Sequence, residues 1–493
     1  MRDKYKGVKI VSVKAIVKFV ARDVVIYGVA NILSRSVALL TFPLLTRYFS
    51  VEEYGLVDLF YLLTTLLIAF FTFGQDSAIF RYYHEEKDNE GRCHLITQSL
   101  TMQLGISAVV IPLFWILKEI IIERLGYTSE ISHLLDVILL MIPFGVIYTN
   151  AQAVLRINFN LSQFLVISIG LTVMMLLVVV LVTMVLDADI LLLFQLYLFS
   201  WVIFALLGLW FIRKWLVRPS GFLVPKRIFL YGVPMALIVL IGSGQSFFER
   251  IIVIEAIGTE VLGLYAAAVK VTMLIALLDG IFQSAFGPFL MSTYKNQDSI
   301  KAYNFLLKVF TIGLSIAILI LAAFGSSILV FLAGERYLDG AVLVFPLAIA
   351  IFIKSTGVFL GAGTILAHKT YIRLIIYVIS LAAGLFTMIF LVGVIGVVGV
   401  PIGAIVGNSV MLILESIIGQ RLWPMAWEYR IVPVMILITI ILGYWLTLIE
   451  INSLTNFGIL ITILVFVAVI GWFMINPEER TSFVRFIKDR LYR

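Results

Sequence analysis

Apolar runs of about twenty residues recur along the whole chain, separated by short polar or glycine-containing stretches. As an α-helix rising about 1.5 Å per residue, such a run crosses the ~30 Å hydrocarbon core of a bilayer. The pattern predicts spans over residues 24–46, 55–80, 95–117, 133–155, 161–186 and 190–212 in the first half. It predicts further spans over 229–254, 261–290, 309–333, 341–366, 374–392, 397–420, 431–449 and 456–475 in the second half. Fourteen is an even number, so both termini fall on one side.

The loops can be sorted by Lys and Arg. Twenty-eight of the 36 basic residues lie in the termini or in loops on the same side as the termini, Arg81, Arg156, Arg213 and Lys369 among them. Arg47, Lys118, Arg124 and Arg336 alone fall on the opposite side. The positive-inside bias therefore predicts that both termini are cytoplasmic. Residues 1–23 are too polar to contain the apolar core of a signal peptide. Asn160-Leu161-Ser162 matches a glycosylation acceptor, but this topology places it inside, where the match is chance.

Composition excludes most other classes. Of the 493 residues 62% are hydrophobic and only 13% charged, too little charge for a water-soluble surface. A single cysteine, Cys93, and four scattered histidines offer neither a disulfide nor a metal cluster. Neither a GxxxxGK[ST] phosphate loop nor an HExxH motif is present. Gly242-Ser243-Gly244 lacks the third glycine of a dinucleotide loop and lies inside an apolar run. No cofactor and no metal are expected. The net charge of +7 belongs to cytoplasmic loops rather than to a nucleic-acid surface.

Two segments echo each other. Tyr27-Gly28 opens the first span and Ser50-Val-Glu-Glu-Tyr-Gly55-Leu56 turns into the second; Tyr231-Gly232 opens the seventh and Gly258-Thr-Glu-Val-Leu-Gly263-Leu264 turns into the eighth. Ile142-Pro143 and Phe345-Pro346 form a second echo. A six-span repeat keeps its orientation, so the two halves would be parallel copies with a cleft between them. The chain then divides into a basic N-terminus (1–23), two six-helix lobes (24–220 and 221–425), two additional helices (426–475) and a basic tail (476–493). Gly399, Gly403 and Gly407 form a small-residue packing stripe. Gly357 and Gly361 share the face of Lys354, either for packing or to clear room beside a buried charge.

Four cations lie within spans. Arg35 is eleven residues from either end of the first, about 17 Å of helix rise, further than a side chain snorkels. Facing lipid it would cost at least about 2.5–3.5 kcal/mol, so it must face protein or a water-filled cavity, with Gly28, Asn31 and Ala38 on its face. Lys354 is equally deep, Lys270 somewhat less so, and Arg250 is close enough to an end to snorkel. Asp58, Asp76, Asp136 and Glu415 sit near span ends and read as interfacial caps or loop contacts. Glu249 borders Arg250, with Gln245 one turn away, and Asp279 is the one deep acid, on the helix face opposite Lys270. Each cation could be neutralised by one of these acids and merely fix helix register. Taken together, an excess of positive charge at the midplane points to an anionic cargo, and phosphate is the group a guanidinium grips with two hydrogen bonds.

Phe42-Pro43-Leu44-Leu45-Thr46-Arg47-Tyr48-Phe49-Ser50-Val51-Glu52-Glu53-Tyr54-Gly55, after Tyr27-Gly28, resembles the opening of the bacterial and archaeal polysaccharide flippases, the Wzx-like O-antigen or repeat-unit flippases. Gly263-Leu264-Tyr265-Ala266 with Lys270, Gly334-Glu335-Arg336-Tyr337 and Ala367-His368-Lys369-Thr370 resemble later parts of that family. The resemblance covers essentially the whole chain and extends to the superfamily that also holds lipid II flippases, spore-cortex flippase-like proteins and multidrug extruders. It implies an all-α fold of two parallel six-helix lobes plus two C-terminal helices, in a prokaryotic cytoplasmic membrane, working by alternating access. The implied cargo is an oligosaccharide on polyprenyl pyrophosphate, with a polysaccharide polymerase or chain-length machinery as neighbours. Arg35 and Lys354, with Asn31, Arg250 and Lys270 along the route, are the expected cargo contacts. Glu249 or Asp279 is the expected acceptor of a coupling H+ or Na+. A lipid II or spore-type flippase is the nearest rival reading. A cation extruder fits less well, because the deepest charges are basic.

Overall fold

The computed structural model describes residues 37, 39–83, 85–86, 88–125, 129–186, 188–219, 226–294, 299–367, 369–449 and 454–475. Among the described residues every regular element is helical. Residues 39–48 form α1, the described part of the first span. The second span consists of α2 (Val51–Thr72) and α3 (Gln75–Tyr82). Spans three to six are α4 (Asn89–Leu125), α5 (Ser129–Ile157), α6 (Leu161–Leu181, continued by a π-turn over Val182–Leu186) and α7 (Ile190–Ile212). Spans seven to nine are α8 (Lys226–Ala256), α9 (Thr259–Thr293) and α10 (Ser299–Ala333). The tenth is α11 (Ala341–Leu360) with α12 (Ala362–Leu366), and the last four are α13 (Thr370–Ile395), α14 (Gly399–Leu422), α15 (Ile431–Thr447) and α16 (Leu454–Met474). Eleven described stretches are long and apolar enough to cross a membrane, Tyr371–Leu422 holding two helices; α15 is apolar but shorter.

Several boundaries depart from the hydropathy reading, each for a local reason. Ser50 starts α2 through a capping box: its hydroxyl accepts from the Glu53 amide and the Glu53 carboxylate accepts from the Ser50 amide. The second span is not continuous, because Phe73 and Gly74 are both left-handed, at φ 54° and 64°. A side chain at Gly74 would overlap the Gly232 carbonyl and lie 2.8 Å from the Ala236 nitrogen, so α8 approaches this break backbone to backbone. The ninth span begins ten residues before the expected 309. Its extra turns bury Tyr303, Asn304 and Lys308 beneath residues 423–430, where Asn304 donates to the Ala426 carbonyl at 2.7 Å and Lys308 pairs with Glu428 at 2.7 Å. Polar positions covered by a distant loop have no hydropathy signal.

Helix α5 packs against α2, α4 and α7; six spans later, α11 packs against α9, α10 and α14. The pairing of α6 with α7 recurs as α13 with α14. This recurrence is what a duplicated six-helix pattern produces. The two sets meet along α2, which lies against both α8 and α9. Helices α15 and α16 attach to α10. The glycine stripe of α14 serves packing: a Cβ at Gly407 would lie 2.8 Å from the Ser380 carbonyl, and one at Gly403 would meet Met388 and Gly384.

Candidate functional site

The end of the bundle carrying most Lys and Arg is called the basic end here, and the other the sparse end. At the sparse end the two helix sets close against each other. Gly55 of α2 meets Gly263 of α9, and a Cβ on Gly55 would lie only 2.7 Å from the Gly263 nitrogen. The rings of Tyr54 and Tyr337 meet edge to face at 6.0 Å. The Arg47 guanidinium donates to the Phe331 carbonyl at 3.1 Å, and that of Arg336 donates to the Thr46 carbonyl. Each of these contacts joins residues before 60 to residues after 260.

About 10 Å of helix rise from the start of α2, beneath this seal, lies a buried ionic cluster. Asp58, 4% exposed, takes the Arg250 Nε and Nη2 on one carboxylate oxygen, both at 3.1 Å, and Lys270 Nζ on the other at 3.1 Å. Arg250 also lies 3.5 Å from Glu249, which accepts from Tyr265 at 3.0 Å and from Gln245 at 3.1 Å. Two cations and two carboxylates thus share one site, in which hydrogen bonds offset the desolvation of each charge. This corrects three expectations. Arg250 does not snorkel, being 2% exposed. Asp58 is not an interfacial cap, and the expected surplus of positive charge at Arg250 and Lys270 is balanced by Asp58 and Glu249.

Asp58 and Lys270 of this cluster line one end of a cavity of about 500 Å³. Arg156 stands at its other end, near the basic face, with its guanidinium 5.1 Å from the Phe80 ring and 5.8 Å from that of Phe164. Between them the walls carry Tyr61, Tyr148 and Trp201 together with Gln152, Ser168 and Thr172. Sequence reading missed this chamber because its lining comes from one or two residues on each of several helices, spaced like any packed face. Arg156 was visible only as one loop cation among many.

Lys354 is not brought into that chamber. It lines a separate space of about 30 Å³, enough for a water molecule, with Gly242, Gln245, Tyr377, Ser380 and Asn408. No carboxylate pairs with it among the described residues. Gln245 links this space to Glu249 and so to the ionic cluster. Asp279 is held by Gln283, whose amide donates to both carboxylate oxygens at 2.7 and 2.8 Å. Arg35 and Asn31 lie outside the described residues. Glu415 is a further correction: it is 1% exposed, bonded to Arg373 at 3.2 Å and to Thr364 at 2.9 Å. A Cβ on Gly361 would lie 2.5 Å from the Glu415 carboxylate, so that glycine clears room for the buried acid rather than for Lys354. Asp136, two turns into α5, pairs with Lys118 of α4, a contact between helices and not a cap.

Comparison with known proteins adds an independent line. A family model described as polysaccharide biosynthesis protein matches residues 20–294. The capsular polysaccharide biosynthesis protein CapF of Staphylococcus aureus is 26% identical over 175 residues, 34% of this chain and 44% of that protein. The match thus spans less than half the length of that curated relative. Among solved structures, the lipid II flippase MurJ in an inward closed conformation superimposes with a TM-score of 0.65 at 16% identity, covering 91% of this chain and 98% of that one. A multidrug resistance MATE family transporter of the MOP superfamily, inward-facing, gives 0.63 at 17% identity, covering 81% and 95%. At these identities the likeness establishes the fold, that of an all-helical, multi-pass membrane protein.

Proposed function

The chain belongs to the polysaccharide biosynthesis protein family, and from that premise we propose that it is a flippase carrying polyprenyl-pyrophosphate-linked oligosaccharide repeat units from the cytoplasmic to the outer leaflet. The observation that carries this reading is the 500 Å³ chamber, lined by hydroxyl, amide and aromatic groups and backed by a seal at the sparse end. A pyrophosphate-sugar head cannot enter hydrocarbon without losing its hydration. A polar chamber reached from one side replaces that hydration, while the polyprenyl tail stays in lipid. With the basic end cytoplasmic, the described state has its seal on the outer side. Rocking of the two helix sets as lobes would part Gly55 from Gly263 and expose the head outward.

Within this reading Arg35 and Lys270 meet the pyrophosphate, Asn31 supports Arg35, and Lys354 serves a later stage on the far side of Gln245. Arg250, enclosed by Asp58 and Glu249, holds the carboxylate that Lys270 leaves when it turns to the cargo. Glu249 and Asp279 are the two acids put forward for coupling to an ion gradient.

The test is a strain lacking the gene. Surface polysaccharide disappears and polyprenyl-pyrophosphate oligosaccharide accumulates on the inner leaflet, where it identifies the cargo. Unchanged surface glycans in that strain would falsify the reading.

A further inference from the structure

Gln152 is fixed in place on the wall of the chamber. Its amide nitrogen donates to the Tyr148 hydroxyl at 2.8 Å and to the Ser168 hydroxyl at 2.7 Å. Both amide hydrogens are used, and the amide oxygen is left without a partner among the described residues. Ser168 lies one turn before Thr172, whose hydroxyl donates to the Ser168 carbonyl at 2.8 Å. The Tyr148 ring meets Trp201 edge to face at 5.1 Å, and the Tyr61 ring, 37% exposed although deep in the bundle, lines the same space. Two donors on these walls, Trp201 Nε1 and the Tyr54 hydroxyl, are buried with no hydrogen-bond partner among the described residues. Buried donors are rarely left unmet in native structures, and a ligand rich in oxygen acceptors would meet them.

The chamber's charges stand at its two ends: Asp58 with Lys270 at one, Arg156 at the other. Between them the described residues contribute only uncharged chemistry, an amide, hydroxyls and aromatic rings. A carboxylate placed there would meet no cation among the described residues, whereas a pyranose presents hydroxyls to the polar groups and a C–H face to the rings.

We propose that the middle of this chamber is a glycan subsite that takes a neutral, hydroxyl-rich sugar of the cargo, with Gln152 and Trp201 as its specificity-determining contacts. The inference rests on the flippase reading and deepens it by separating where the sugar sits from where the pyrophosphate sits. The volume is that of an ordinary small-ligand site, about 300–1,000 Å³. It therefore holds the first sugars of a repeat unit rather than a long chain.

The test uses the full chain in lipid nanodiscs. The probe is the oligosaccharide released by mild acid from the host's polyprenyl-pyrophosphate lipids, with inorganic pyrophosphate as the control. The glycan binds the wild type without its lipid. Gln152→Ala and Trp201→Phe each weaken it about five- to tenfold, the loss of one hydrogen bond, with pyrophosphate binding and melting temperature unchanged. Equal glycan affinity in the wild type and the double variant overturns the subsite. So does no glycan binding at all, or a preference for a uronate-bearing glycan over its carboxyl-reduced form. A failed subsite leaves the flippase standing if the deletion strain still accumulates lipid-linked glycan. A glycan that binds in a protein whose deletion leaves surface polysaccharide unchanged keeps the subsite and removes the flippase.

Discussion

Gly55 and Gly263, the last glycines of the two echoing segments, touch each other across the junction of the two helix sets. Neither has room for a Cβ: at Gly263 it would overlap the Val51 carbonyl, and at Gly55 it would press on the Gly263 backbone. The contact holds the sparse end shut by letting two backbones approach more closely than side chains allow.

Gly263→Ala should therefore loosen the seal. With Cys93 replaced by serine, a cysteine introduced at Tyr61 should react with a membrane-impermeant thiol reagent from the sparse side several-fold faster in Gly263→Ala than in its parent. Equal rates would mean that the glycine contact does not govern access.

Asp58→Asn removes the carboxylate that Arg250 and Lys270 share. Breaking a buried pair from one side is worth about 3–5 kcal/mol, so a marked fall in melting temperature is expected. Adding Lys270→Met removes one of the stranded cations and should recover part of the loss. The Lys270 side chain is 21% exposed toward the chamber, unlike that of Arg250 at 3%. Lys270→Met alone should thus lose transport more than stability. The reverse outcome assigns Lys270 to holding the helices in register.

Lys354→Met makes a sharper contrast. No carboxylate loses a partner among the described residues, so the melting temperature should stay level or rise while transport of the lipid-linked glycan falls at least tenfold. Full transport in this variant takes Lys354 off the route.

Arg35→Gln is expected to abolish transport with protein abundance normal. Activity equal to that of the wild type removes the phosphate-binding role argued from its depth in the first span.

The helices were legible because a membrane span is a one-dimensional signal: about twenty apolar residues, whatever surrounds them. The echo between residues 50–56 and 258–264 was legible too, and it marked two segments that now prove to be in contact. Azimuth and partnership were not. Asp58 looked interfacial because its distance was counted from the end of its own helix, whereas the loop holding Tyr337 covers that end. Its partner Arg250 lies 192 residues away, and Lys270 further still, beyond the reach of any local pattern. Gln152 and Ser168 carry no motif at all; they come together only where α5 and α6 lie side by side.

That separation of 192 residues also sets a schedule for biosynthesis. At about 5–20 residues per second, the ribosome completes the second helix roughly 10–40 s before Arg250 emerges. During that interval Asp58 sits in a half-made protein without the cations that later enclose it. The nascent first half therefore needs shelter beside the insertion machinery until the second arrives. Premature release, rather than a flaw in the finished fold, is the failure to look for when this protein is overproduced.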